Sequence, residues 1–254
     1  MWDPGTYLAY ADLRGRPFFD LTARIGAESP RRVVDLGCGP GNLTLRLTER
    51  WPAARVEALD GSAEMVAAAQ EAGLTARVAD VREWSPEPET DVVVCNAVLH
   101  WVPEHVELLD RWVTELPSGA WLAVQMPGNF RAPSHRAVRE LLASAEWADL
   151  LGGVSLPGED AVREPVAYAE QLAARGCFVE AWETTYAQRL SGQRPVLDWV
   201  SGSTLRPVRA ALAEADWARF QEQLAARLAT AYPVSADGST WFPFRRVFVV
   251  ARTP

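Results

Sequence analysis

The chain contains no lysine: all 25 of its basic residues are arginine. That absence excludes Schiff-base chemistry on a lysine amine and any phosphate loop that depends on a lysine. Isoleucine is almost missing as well, with Ile25 alone, and alanine and arginine abound, so a coding bias explains the arginine richness without reference to function. Cysteine is scarce. Cys38, Cys95 and Cys177 are far apart, form no C-x-x-C pair and are accompanied by only three histidines, so no metal site is expected. His100 and His135 can titrate, but their spacing makes no ligand pair. No apolar run approaches the ~20 residues that a membrane span requires. Met1-Trp2-Asp3-Pro4-Gly5 has neither a basic segment nor an apolar core, so no secretory signal is visible and a cytoplasmic protein is expected. A net charge of −8 without any basic stretch argues against nucleic acid as a partner.

What is present is organised around Arg32–Asn42, Arg-Val-Val-Asp-Leu-Gly-Cys-Gly-Pro-Gly-Asn. Val33, Val34 and Leu36 read as a buried strand, Gly37, Gly39 and Gly41 as a turn, and Leu43 to Arg50 as a helix. Strand, glycine turn and helix let a ligand lie against bare backbone beside a helix N-terminus. The third glycine comes one residue too early for a dinucleotide fingerprint, which disfavours a nicotinamide oxidoreductase.

Further along, Arg55 to Leu59 reads as a second strand ending at Asp60, and Ser62 caps the helix that follows. Thr75 to Ala79 ends at Asp80, and Asp91 to Cys95 ends at Asn96; Glu104 to Glu115 is helical and Ala120 to Val124 is strand five. Asp35, Asp60, Asp80 and Asn96 therefore fall at four successive strand ends, where an open α/β sheet binds its ligands. Cys38 and Cys95, also at strand ends, read as small hydrophobes. Asp60 stands 19 positions after Gly41; a carboxylate there accepts both ribose hydroxyls of either adenosylmethionine or NAD. After Pro127 the rhythm changes. Residues 133 to 151 and 165 to 175 are expected to be helical, Phe178 to Tyr186 alternates as a strand, 206 to 231 is a long helix, and Arg246 to Ala251 is the last strand.

Asp35-x-Gly37-x-Gly39-x-Gly41 resembles motif I of the class I S-adenosylmethionine-dependent methyltransferases. Longer stretches resemble the trans-aconitate methyltransferase family over essentially the whole chain: Ala97-Val98-Leu99-His100-Trp101-Val102-Pro103-Glu104-His105, Val124-Gln125-Met126-Pro127-Gly128-Asn129-Phe130, Trp182-x-Thr184-Thr185-Tyr186, Asp198-Trp199-Val200 with Leu205-Arg206-Pro207, and Phe244 to Ala251. The resemblance implies S-adenosylmethionine as methyl donor, S-adenosylhomocysteine as product and a tricarboxylate acceptor, esterified on one carboxylate. It implies a Rossmann-like α/β fold: a seven-stranded, mostly parallel sheet with helices on both faces and a helical cap, in a single domain. Residues 1–30 would form a helical lid, 31–126 the cofactor-binding core, 127–165 and 190–235 the cap, and 177–189 and 245–252 the final antiparallel strands.

On the cofactor side the resemblance implies Asp80 and Val81 at the adenine, Asn96 and Ala97 at the sulfonium, and Trp101 among the cofactor-binding residues. Arg16, Cys38, Asn42 and Gly61 complete that set around the glycines, Asp35 and Asp60. Met65 reads either as a cover for the adenine face or as ordinary core. A carboxylate acceptor, with pKa around 4, is already anionic at neutral pH and needs no general base. Its remaining carboxylates need bidentate guanidinium partners, for which Arg206 and Arg246 stand first, with Arg245, Arg131, Arg209 and Arg16 behind them. Tyr186, His100, Trp101, Trp199 and Tyr7 would position the acceptor. Three positions depart from the bacterial pattern: His100 for glutamine, Gly128 for aspartate and Arg245 for proline. Another small polycarboxylate or natural product as acceptor, and an adenosylmethionine-binding protein without turnover, remain as alternatives.

Overall fold

Residues 11–254 are described in the computed structural model; Tyr7 lies outside them. The β-branched run around Val33 and Val34 forms β1 (Arg32–Leu36), buried along its whole length, as a strand covered on both faces must be. β1 pairs in parallel with β2 (Arg55–Asp60) on one side and β4 (Thr90–Asn96) on the other. β3 (Thr75–Val78) extends the sheet beyond β2, and β5 (Trp121–Pro127) beyond β4, again in parallel. β7 (Thr240–Arg252) runs antiparallel to β5, and β6 (Phe178–Leu190) completes a seven-stranded sheet of order β3-β2-β1-β4-β5-β7-β6. The direction of winding reverses between β1 and β4, and the crevice at their carboxyl ends is the place where such sheets take ligands.

Ten α-helices occur among the described residues: α1 (Ala11–Thr22), α2 (Thr44–Arg50), α3 (Ala63–Glu71), α4 (His105–Glu115), α5 (Pro133–Leu142), α6 (Ala148–Leu151), α7 (Pro165–Ala173), α8 (Pro195–Ser201), α9 (Arg206–Ala211) and α10 (Glu214–Ala231). The chain divides into two compact units. A sheet unit comprises Arg14–Pro127, Val162–Thr184 and Arg246–Pro254; a helical unit comprises Gly128–Ala161 and Thr185–Arg245, with the described residues up to Leu13.

Within the helical unit the structure corrects two expected helices. The stretch 133 to 151 is broken between α5 and α6, where Ser144 Oγ donates to the Leu141 carbonyl at 2.7 Å and the chain turns to bury Trp147 completely. Trp147 Nε1–H finds its acceptor in Gln223 Oε1 at 2.7 Å. The stretch 206 to 231 is broken at Leu212 and Ala213, both extended, which lets Leu212 enter the core. Trp199, expected to wall the acceptor, belongs to that same core: it is 2 % exposed and packs against Phe242 and Phe244 with ring centroids 5.9 and 5.4 Å away. Burying so large an apolar surface is its contribution.

Strand ends shift as well. β3 stops at Val78, two residues short of Asp80, because Asp80 accepts the Arg82 N–H at 2.9 Å and caps the 3₁₀ turn Val81–Glu83. β6 and β7 are both longer than expected, reaching Leu190 and beginning at Thr240.

Candidate active site

The glycine turn is shaped by its neighbours at both ends and open in the middle. Gly37, Gly39 and Gly41 have φ of 82°, 55° and 83°, the left-handed region that glycine enters without penalty. A Cβ on Gly37 would stand 2.1 Å from Val98 Cγ2, and one on Gly41 2.4 Å from Leu74 Cδ1, so both positions exclude any side chain. Gly39 differs: nothing lies within 4 Å of its Cβ position. There the turn presents bare backbone to open space.

Hydrogen bonds tie this turn to β2. The Gly37 and Cys38 N–H groups both donate to the Leu59 carbonyl, at 2.7 and 3.0 Å. Gly39 N–H donates to Asp60 Oδ2 and Ser62 N–H to Asp60 Oδ1, each at 2.9 Å. Asp60 is half-buried, fixed by two backbone donors, and retains lone pairs for a ligand's hydroxyls. Gly61 beside it is exposed, with no atom near its Cβ position. Asn42 is half-buried where the turn leads to α2.

Asp35 takes a different place from the one its strand-end position suggests. It is 3 % exposed and accepts a 2.6 Å hydrogen bond from Thr44 Oγ1 in the first turn of α2. Burial pushes its carboxyl up to about 6, the Thr44 hydroxyl opposing and the Asp60 charge adding to the rise. Burial likewise pushes the Cys38 thiol up to about 12, with help from Asp35 and Asp60, so Cys38 is an inert small hydrophobe, as expected.

Met65 is 7 % exposed in the first turn of α3, its N–H capped by Ser62 Oγ at 3.4 Å; it packs as core. Val81 is buried. Asp80 is engaged by Arg82, whose Nε–H lies 3.0 Å from each carboxylate oxygen, and this pairing holds its carboxyl below the ordinary value. Past β4, Ala97 has φ 59°, the one non-glycine among the described residues in the left-handed region, and its N–H donates to the Gln125 carbonyl at 2.8 Å. His100 and Trp101 follow with ring centroids 5.0 Å apart, Trp101 being 44 % exposed. Arg16 is exposed on α1, and Arg246 is buried on β7 opposite Pro127.

The other acceptor candidates lie in the helical unit. Arg206 is exposed at the start of α9, and Tyr186 is half-buried on β6. Arg245 Nη1 donates to the Gly128 carbonyl at 3.3 Å. Arg131 and Arg209 are engaged in exposed ion pairs with Asp160 and Glu214. Thr44 and Gln125 were not singled out by sequence reasoning. Thr44 had a signal: a hydroxyl in the first turn of the helix that follows an acidic strand end. Among the described residues no group of His, Cys, Asp and Glu could hold a metal ion, and no helix is long and apolar enough to cross a membrane.

A fixed carboxylate at the tip of β2, an open Gly39 and a buried acid under the turn suit an adenosyl group with a zwitterionic amino-acid end, whose hydroxyls and ammonium need acceptors and whose carboxylate needs N–H donors. With the strand order, this site defines the fold of a class I methyltransferase. Residues 10–171 match the profile of a methyltransferase domain family. Among solved structures, an S-adenosylmethionine-dependent methyltransferase from Mesorhizobium loti superposes with a TM-score of 0.53 at 19 % identity, covering 94 % of this chain and 97 % of that one. Phosphoethanolamine N-methyltransferase 2 of Haemonchus contortus gives 0.55 at 16 % identity over 94 % of this chain, which spans 52 % of that protein.

The chain belongs to the trans-aconitate 2-methyltransferase family. It is 60 % identical over 252 residues to the trans-aconitate 2-methyltransferase of Mycolicibacterium gilvum, covering 99 % of both chains. It is 55 % identical to that of Mycobacterium tuberculosis, over 99 % of this chain and 96 % of the relative.

Proposed function

We propose that the protein transfers the methyl group of S-adenosylmethionine to one carboxylate of trans-aconitate, forming a monomethyl ester. The observation that carries this reading is 60 % identity across 99 % of both chains with a relative of that name. The methyl donor, when bound, supplies an electrophilic methyl on a sulfonium. The protein's own residues bind and orient. Asp60 accepts the ribose hydroxyls, Gly39 admits the ligand against its backbone, and Asn96 and Ala97 face the sulfonium end, with His100, Trp101 and Tyr186 positioning the acceptor. Asp80 and Val81 bound the adenine.

No residue need remove a proton, because the attacking carboxylate is already ionised. What the acceptor requires is loss of its hydration shell and in-line placement about 3 Å from the methyl carbon. Its other carboxylates call for guanidinium forks, which Arg206, Arg245 and Arg246 supply in this reading. Of these, Arg206 lies in the segment 190–235. Titration calorimetry tests the cofactor assignment: S-adenosylhomocysteine binds and NAD does not, and the reverse result rejects it.

One observation favours a second acceptor. Gly128 and Arg245, two positions that depart from the family pattern, are hydrogen-bonded to each other through Gly128 N–H to the Arg245 carbonyl at 2.9 Å and Arg245 Nη1 to the Gly128 carbonyl at 3.3 Å. Glycine and arginine standing where the bacterial pattern has an acid and a proline add positive charge, which suits a related polycarboxylate.

A further inference from the structure

Gln125 carries a carboxamide to which the reaction has so far given no role. The residue is fully buried on β5, and neither Oε1 nor Nε2 has a hydrogen-bond partner among the described residues. Its partner in the parallel register is Asn96, the last residue of β4, whose Oδ1 is likewise buried and unpartnered. Register partners project to the same face of a sheet from strands about 4.8 Å apart, so a donor and an acceptor stand side by side without bonding. Carboxamide atoms in this condition are costly and uncommon in folded proteins. The adjoining backbone is constrained too. Ala97 is held at φ 59° by its N–H bond to the Gln125 carbonyl, and Val98 occupies the space that a Cβ on Gly37 would need. Residues 96–98 are thus wedged between β5 and the glycine turn, where the strand order reverses.

We propose that Gln125 is a positioning residue for the methyl donor. When the crevice is filled, Gln125 Nε2–H donates to Asn96 Oδ1. That bond fixes the Asn96 carboxamide with its N–H₂ toward the crevice, as a donor to the carboxylate of an amino-acid end. The inference rests on reading the crevice as an S-adenosylmethionine site. That one bond pairs two of the three unpartnered atoms, Gln125 Nε2 and Asn96 Oδ1.

Replacing Gln125 by an apolar residue of similar length should therefore move two quantities in opposite directions. Gln125→Met is expected to raise the melting temperature of the ligand-free protein by about 2–4 °C, and to weaken S-adenosylhomocysteine binding about tenfold, the loss of one well-made hydrogen bond. Gln125→Glu supplies a second readout. Its protonated carboxyl can donate to Asn96 and its carboxylate cannot, so its affinity should rise as pH falls, relative to wild type at each pH. A Gln125→Met protein with lowered stability and unchanged affinity would make Gln125 a packing residue and overturn the proposal, as would a Gln125→Glu affinity profile parallel to wild type. If the wild-type protein itself fails to bind S-adenosylhomocysteine, the reading of the crevice fails instead.

Discussion

Thr44 Oγ1 donates a 2.6 Å hydrogen bond to Asp35 Oδ2, joining the first turn of α2 to the end of β1 in a place closed to solvent. The acid at the head of the glycine turn is thus first a structural tie. Folded Asp35 titrates at about 6, against an ordinary 3.8. Its contribution to stability is therefore fully present below pH 3.8 and is lost as pH rises through 6, a span on the order of 3 kcal/mol. Asp35→Asn should remove that slope, so that wild type loses stability relative to the variant between pH 4 and pH 7 in urea melts. Thr44→Val leaves the carboxylate without its donor and should cost about 1.5–3 kcal/mol at neutral pH.

His135 has the opposite sign. Burial pushes it down to about 4 from 6.5, so its neutral form is favoured by folding and stability is lost as pH falls through 6.5 toward 4. In wild type the Asp35 and His135 slopes offset each other. Asp35→Asn should unmask the second and lose stability on acidification more steeply than wild type; superimposable profiles would show that Asp35 is not shifted.

The three glycines should separate folding from binding. Gly41→Ala forces a methyl into Leu74 and Ala69 and should destabilise the sheet unit. Gly39→Ala meets no protein atom within 4 Å, so apart from about 1 kcal/mol of left-handed strain it should fold, while its methyl should weaken S-adenosylhomocysteine binding if the proposed ligand lies against the turn. Circular dichroism melts set beside calorimetry with S-adenosylhomocysteine check the contrast. Equal loss of stability in both variants would mean that Gly39 is a packing position.

Asp60→Ala should weaken S-adenosylhomocysteine binding by one to two hydrogen bonds to a charged acceptor, about 1.5–3 kcal/mol each at most. The loss of the Gly39 and Ser62 anchors adds to it. Unchanged affinity would remove Asp60 from the site.

Arg206→Ala tests the acceptor side without the complication of burial, since Arg206 is exposed. The acceptor KM should rise at least tenfold, the worth of one charge-assisted bond, with the cofactor KM unchanged. Equal effects on both would assign Arg206 to structure.

Local pattern made the strand ends and the glycine turn legible. Val33 to Gly41 reads as strand and turn because β-branched residues and spaced glycines admit little else, and Asp60 and Asn96 do end their strands. Asp80 was misplaced by two residues because a side-chain cap ended β3 early, a choice that hydropathy does not record. The breaks at 143–147 and 212–213 escaped notice because alanine-rich sequence is helical by propensity; burial of Trp147 and Leu212 decided otherwise. Trp199 looked like a ligand wall because a lone tryptophan carries no sign of whether Phe242 and Phe244 will cover it. Gln125 was quoted as part of a family stretch and given no role, since a polar residue inside a strand reveals its lack of partners only in three dimensions.

The most direct measurement is mass spectrometry of the products after incubation with S-adenosylmethionine and, separately, trans-aconitate, cis-aconitate, citrate and isocitrate. Trans-aconitate should yield a monomethyl ester with one S-adenosylhomocysteine per ester, faster than the other three acids. Tight S-adenosylhomocysteine binding with no ester from trans-aconitate would contradict the assigned reaction.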